Sequence, residues 1–572
     1  MNFWGVSLFI SSIEIKLFFD KFLIDNFLPL IVQKIKSMQH FSENISLFPG
    51  TEWLNHPVVE QTEYLVDGEF KQWNGDFKKV YSAIKVNNKG NLEDVYLGKI
   101  PNAGLDEAME CLDAAEKAYD NGFGYWPTLS VEERIKHVEH FIKEMIGLRE
   151  EVVELLMWEI GKNRADSEKE FDRTIAYIYD TINALKELDR RSSRFTIESG
   201  IIGQIRRSPL GITLCIGPFN YPLNETYTLL IPALIMGNVV LFKPPKYGCL
   251  LHYALSKALQ KSFPKGVVNY IYGKGAEVIE PMMNTGKINV LTLIASSRVA
   301  DQLKKAHPKV NRLRSILGLD AKNPGIILKD ADLDLTVEEC VAGSLSFNGQ
   351  RCTALKILFV HEDIAEEFIK KFSDKVDALQ VGMPWNNPAI TPLPEDGKVE
   401  FLNGLIKDAE NYGAKIVNKS GGNAVGNLFA PTVLYPVNEN MKIYHIEQFG
   451  PVVPIVPFKD LHEPVDYMIQ SDFGQQVSIF SKNHEEIAKM IDGFVNLVSR
   501  VNVNTQSQRG PDVFPFTGRK DSAEGTLSVP DALRSFSIRT MVATKESELN
   551  KDIFNNIVSE QESSFLSTKF LF

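Results

Sequence analysis

Paired cysteines, long apolar runs and an excess of positive charge are all missing from this chain, and each absence removes a class of protein. Five cysteines (Cys111, Cys215, Cys249, Cys340 and Cys352) are scattered over 572 residues and never spaced C-x-x-C. Neither a disulfide framework nor a structural zinc site is expected, no metal ligands are assigned, and the thiols point to a reducing compartment, the cytoplasm. No stretch reaches the ~20 apolar residues that span a bilayer. The closest approach, residues 1–37, is rich in Phe, Ile and Leu but broken by Glu14, Lys16, Asp20, Lys21, Asp25, Lys34 and Lys36. Residues 1–13 carry no Lys or Arg, so the segment does not read as a signal peptide; it is expected to be an extension the fold does not need, with Met38 as an alternative start. Lys plus Arg (62) are outnumbered by Asp plus Glu (73), a net charge of −11 that argues against a surface tracking nucleic-acid phosphates. Neither nucleic acid nor a membrane is expected as a partner.

What remains is an ordinary globular composition, 44% hydrophobic and 24% charged, in a chain too long for one core of roughly 250–300 residues. From about residue 60 strand-like and helix-like segments alternate, which predicts an α/β fold with a parallel sheet. Ser130-Val131-Glu132-Glu133 and Thr336-Val337-Glu338-Glu339 read as capping boxes. Residues 165–190 place Phe171, Ile175, Ile178 and Ile182 on one helical face. Short apolar runs at Ile212–Ile216, Val239–Phe242, Val267–Tyr272, Val290–Ile294, Gly325–Leu328 and Ile357–Val360 read as buried strands of a doubly wound sheet. The loops after such strands are where ligands bind. The tail after Thr544 is polar and weakly patterned, and is expected to be poorly ordered.

Four segments carry chemistry. Ser346-Phe347-Asn348-Gly349-Gln350-Arg351-Cys352-Thr353 sets a thiol in a Gly-containing loop beside a cation, surroundings that lower a thiol pKa. Gly217-Pro218-Phe219-Asn220-Tyr221-Pro222 ends a buried strand with an amide able to donate to a developing oxyanion. A strand delivers two lysines in Val239-Val240-Leu241-Phe242-Lys243-Pro244-Pro245-Lys246, and Glu447-Gln448-Phe449-Gly450-Pro451 places a carboxylate before an aromatic and a turn. Gly273-Lys274-Gly275-Ala276-Glu277-Val278 follows a strand but lacks the third glycine of a dinucleotide fingerprint, so it is set aside.

In this order and spacing the four segments resemble the aldehyde dehydrogenase superfamily over roughly residues 60–545. The resemblance implies a Rossmann-like cofactor domain (60–197 and 211–318), an α/β catalytic domain (319–529), a β-arm for oligomerisation (198–210 and 530–545) and a tail (546–572). It makes Cys352 the nucleophile and Asn220 the oxyanion donor. Lys243, Glu447, Phe449 and Ser296 become cofactor residues, and a homodimer or homotetramer is implied. Within the superfamily PFNYPLN at 218–224, FKPPKYG at 242–248, NGQRC at 348–352 and QRGPDVFPFTGRKDS at 508–522 look most like the non-phosphorylating glyceraldehyde-3-phosphate dehydrogenases. That likeness implies a small phosphorylated aldehyde held by Arg173, Arg351 and Arg509, whose planar forks suit phosphate oxygens. Lys246, where many NAD-dependent relatives place a carboxylate, would attract a 2′-phosphate and favours NADP over NAD.

Two departures stand out. The family's general-base glutamate falls on Gly318 in Leu317-Gly318-Leu319-Asp320-Ala321-Lys322, leaving Asp320, two residues on, as the candidate base. Ala295-Ser296-Ser297-Arg298 stands where relatives commonly have glycines beside the cofactor pyrophosphate. The missing base keeps open transfer of the acyl group to coenzyme A or phosphate, and a non-catalytic protein that keeps the fold is the rival from another class.

Overall fold

A computed structural model describes residues 44–51 and 55–566. The expectation for residues 1–37 lies outside them. Two parallel sheets dominate. The first has six strands in the order Val268–Tyr270, Val239–Lys243, Ile212–Ile216, Val290–Ile294, Arg314–Gly318 and Ala523–Glu524, all parallel except the last. The chain enters at Ile212–Ile216, winds outward on one side, then returns to wind outward on the other, creating a topological switch point beside Ile216 and Ile294. These strands read as unbroken apolar runs because helices cover both faces; Leu214, Cys215, Val240, Leu241, Val290 and Leu291 are fully buried.

The second sheet has seven strands in the order Lys415–Ile416, Thr432–Tyr435, Val452–Phe458, Leu355–His361, Asn323–Ile327, Gln476–Phe480 and Arg500–Val503, with only the first antiparallel. A three-stranded antiparallel arm stands apart: Phe195–Glu198, Ile201–Pro209 and Ser537–Lys545, the last in register from Ser537 opposite Pro209 to Lys545 opposite Ile201. Ser199 (φ 50°) and Gly200 (φ 74°) close its hairpin in the left-handed region, as a two-residue turn requires. Residues 530–535, expected in the arm, belong instead to the helix Val529–Ser535 that leads into it.

Ser130 and Glu133 form the expected capping box, Glu133 N–H donating to Ser130 Oγ at 3.2 Å and Ser130 N–H to Glu133 Oε2 at 2.9 Å. The box at Thr336 does not form. Asp332 caps that helix, Leu333–Leu345, a turn earlier by accepting from Leu335 N–H, and Thr336 is buried inside it. The tail also departs from expectation. Residues Glu548–Ser559 are helical, capped by Ser547, with Phe554 packed edge-on to Phe195 of the arm at 5.9 Å between ring centroids. Isolated apolar residues there gain a face to pack on only once the arm is built, which local patterning does not register. Among the described residues no helix is long and apolar enough to cross a membrane.

Candidate active site

The two sheets meet around a cavity of about 1380 Å³. From the first sheet the loops after the strands line it: Gly217–Asn220, Pro244–Tyr247, Ala295–Ser296 and Leu319. From the second sheet it is chiefly the loops before the strands: Cys352 before Leu355–His361, Glu447 and Phe449 before Val452–Phe458, and Gln475 before Gln476–Phe480. The rule of looking after the strands therefore holds for one sheet only, because the second presents its amino ends to the cleft. All eleven candidate residues (Cys352, Asn220, Asp320, Lys243, Lys246, Glu447, Phe449, Ser296, Arg173, Arg351 and Arg509) line this cavity. So do Gly275 and Ala276 of the segment that had been set aside for lacking a third glycine.

Cys352 is delivered by a contorted turn. Phe347 (φ 48°), Asn348 (φ 57°) and Gly349 (φ 68°) are all left-handed, a conformation costing roughly 1–2 kcal/mol per non-glycine residue. Side-chain bonds hold it: Thr391 N–H donates to Asn348 Oδ1 at 2.9 Å, and Asn348 Nδ2 donates to Thr391 Oγ1 at 3.1 Å. A Cβ on Gly349 would lie 2.7 Å from the Ser344 carbonyl and 2.8 Å from that of Gly450, so only glycine fits. Burial raises the Cys352 thiol above its ordinary value and Glu447 adds to the rise. Lys356, a hydrogen bond with Gln475 and finally Arg351 act the other way. Arg351 thus has the sign expected from sequence but is outweighed by burial.

Asn220 faces this turn, its Nδ2 donating to the Gln350 carbonyl at 2.8 Å. Two residues that sequence reading missed put it there. Lys162, fully buried, donates to the Asn220 carbonyl at 2.8 Å and to the Glu170 carboxylate, and lies 3.7 Å from the Tyr221 ring centroid and 4.4 Å from that of Phe347. Glu170 in turn accepts from the N–H groups of Leu223 and Asn224, each at 3.0 Å. Burial pulls the Lys162 ammonium below its usual range, with Glu170 opposing the shift. In sequence these charges look like solvated helix and loop residues.

At the other end of the cavity Lys243 is almost enclosed, and burial brings it down to about 8. Lys246 is largely exposed, donating to Tyr247 Oη at 2.7 Å and lying 3.4 Å from Asp396. Glu447 is ion-paired to the buried Lys356 at 2.9 Å, and Lys356 also stands 4.3 Å from the Phe449 ring centroid. Burial is the main cause that raises the Glu447 carboxyl. Ser296 is the N-cap residue of the helix Ser297–Ala306 without making a side-chain capping bond. That bond comes from Asp320, which accepts from Ser297 N–H at 2.7 Å and from its hydroxyl at 2.9 Å. Asp320 is thus committed to the helix beside the switch point rather than held against Cys352, and Gly318 carries no base.

The three arginines also converge, with unequal freedom. Arg173 grips Asp512 with Nε at 2.9 Å and Nη2 at 2.7 Å, and Arg509 reaches Asp512 at 3.2 Å and Glu225. Burial brings Arg509 down to about 10. Arg351 donates to the carbonyls of Ala342 (3.3 Å) and Gly343 (2.8 Å), and is the only one of the three without a carboxylate partner among the described residues. The Arg173–Asp512 pair joins residues 339 apart in sequence, which no local pattern reveals.

The family model described as aldehyde dehydrogenase family matches residues 79–542. A curated NADP-dependent glyceraldehyde-3-phosphate dehydrogenase of Streptococcus equinus is 33% identical over 482 residues, covering 82% of this chain and 96% of that protein. Among solved structures, the NADP-dependent glyceraldehyde-3-phosphate dehydrogenase of Bacillus halodurans complexed with NADP superposes with a TM-score of 0.77 at 29% identity, over 85% of this chain and 100% of that one. Lactaldehyde dehydrogenase from Escherichia coli also gives 0.77, at 26% identity over 86% and 100%.

Proposed function

The chain belongs to the aldehyde dehydrogenase family, and on that footing we propose that it oxidises glyceraldehyde 3-phosphate, or a closely similar phosphorylated aldehyde, to the free acid with NADP. The observation that carries this reading is one cavity that places Cys352 and Asn220 between two lysines at one end and three arginines at the other. Cys352 thiolate attacks the aldehyde carbon, forming a thiohemiacetal. The Asn220 amide and the backbone N–H of Cys352 hold the oxygen on which negative charge develops. The nicotinamide, when bound, takes the hydride that leaves that carbon, so a thioester on Cys352 remains. Water then releases the acid and restores the thiol.

Support for the dinucleotide comes from the donor set. Lys243 is placed for a ribose, and Lys246 offers a positive charge to a 2′-phosphate. Glu447 is poised for the second ribose once Lys356 shares it. Gly318, and the commitment of Asp320 to Ser297, favour a second reading in which coenzyme A or phosphate takes the acyl group. The arm's exposed Ile197, Ile205, Ile538 and Met541 support a homo-oligomer, and five unpaired thiols support a place in the cytoplasm.

A steady-state aldehyde panel, run with NADP and NAD and with and without coenzyme A or phosphate, tests the whole reading. The expected result is turnover of glyceraldehyde 3-phosphate with NADP and water. Arg509→Ala is expected to raise KM for the phosphorylated aldehyde about tenfold or more and to change an unphosphorylated one by less than about twofold, since a remote contact alone is lost. Equal losses on both substrates make Arg509 a structural partner of Glu225 and Asp512, and turnover confined to lactaldehyde-like substrates removes the phosphate assignment.

A further inference from the structure

Asp320 stands where a ligand phosphate is expected. The helix Ser297–Ala306 begins just after the strand Val290–Ile294, beside the switch point, with its positive end at the cavity. Open α/β sheets hold the phosphates of a dinucleotide at such a helix start. Here the Ser297 N–H and hydroxyl at that end are already taken by the Asp320 carboxylate, at 2.7 and 2.9 Å. Independently, the Asp320 charge adds to the rise of the Glu447 carboxyl, so two carboxylates lie near each other on the cavity wall. The backbone immediately before Asp320 is pinned, Leu319 N–H donating to the Ser522 carbonyl at 2.9 Å, so the side chain rather than the strand has to yield to an incoming anion.

Resting on the cofactor reading above, we propose that Asp320 is an internal anion that competes with the cofactor pyrophosphate for the start of the Ser297–Ala306 helix, and so sets how weakly the protein holds its dinucleotide. A carboxylate is stabilised by the helix dipole. Cofactor binding must therefore displace that contact or place two like charges at one helix end. Asp320 acts on affinity and takes no part in the covalent steps at Cys352.

Titration calorimetry of the full chain with NADP, in the absence of aldehyde, separates competition from a capping role. Asp320→Asn keeps the side-chain shape and a hydrogen bond to Ser297 while removing the charge; Asp320→Gly empties the position. The dissociation constant for NADP is expected to fall about tenfold in both, the order of effect that a charge has at a partly buried helix end. Tightening by Asp320→Gly alone still supports competition, through occupancy rather than charge. An unchanged or weaker constant in both variants overturns the proposal and leaves Asp320 as a structural cap, and thermal melts without ligand report any loss of fold in Asp320→Gly. Binding of neither NADP nor NAD by any of the three proteins counts against the functional reading itself, an outcome distinct from a wild-type protein that binds and variants that fail to improve.

Discussion

Cys352→Ala abolishes aldehyde-dependent reduction of NADP, lowering kcat/KM by on the order of 10³-fold or more, and leaves the fold and NADP binding in place. The reason is chemical: without the thiol no thiohemiacetal forms, and nothing else on the wall supplies a covalent route. The side chain is small and lies in the cavity rather than the core, so its loss opens no void that the left-handed turn at Phe347–Gly349 depends on. Coincident thermal melts and calorimetric NADP titrations of the two proteins check the second half of the expectation. Retained turnover in the variant removes Cys352 from the mechanism.

Lys162→Met has the next largest effect, on stability and activity together. It leaves the Glu170 carboxylate fully buried without its cation, which typically costs about 3–5 kcal/mol. The Asn220 carbonyl loses its donor in the same step, so kcat falls even in the fraction that stays folded. Urea unfolding of the single variants Lys162→Met and Glu170→Gln and of the double variant checks this. The double variant is expected to recover part of the loss, since it removes both charges, whereas additive losses mean that the pair does not act as one unit.

These two expectations mark what was legible in the amino-acid chain. Cys352, Asn220, Lys243 and Glu447 each sit in short segments whose glycine, proline and apolar neighbours announce a strand end or tight turn, so position and chemistry can be read together. The parallel strands were legible because burial on both faces makes them continuous apolar runs. Lys162, Glu170, Lys356 and Asp512 were not, because a charged residue in a helix or loop looks solvated until its partner arrives from a distant segment. Asp320 was legible as a carboxylate near the missing base. Its attachment to Ser297 depends on how the strand Arg314–Gly318 lies beside Val290–Ile294, a tertiary fact. The tail helix was missed for the same reason, its packing face being supplied by the arm.

The central claim is that this cavity oxidises an aldehyde through a thioester on Cys352, with deacylation slowed because Gly318 offers no base. The direct measurement is rapid mixing of the enzyme with NADP and glyceraldehyde 3-phosphate, following NADPH absorbance. The account predicts a fast phase close to one NADPH per active site and then a slower steady phase, because hydride transfer precedes the step that lacks its base. Absence of NADPH formation with any aldehyde contradicts the claim outright, and linear production from the first turnover contradicts slow deacylation.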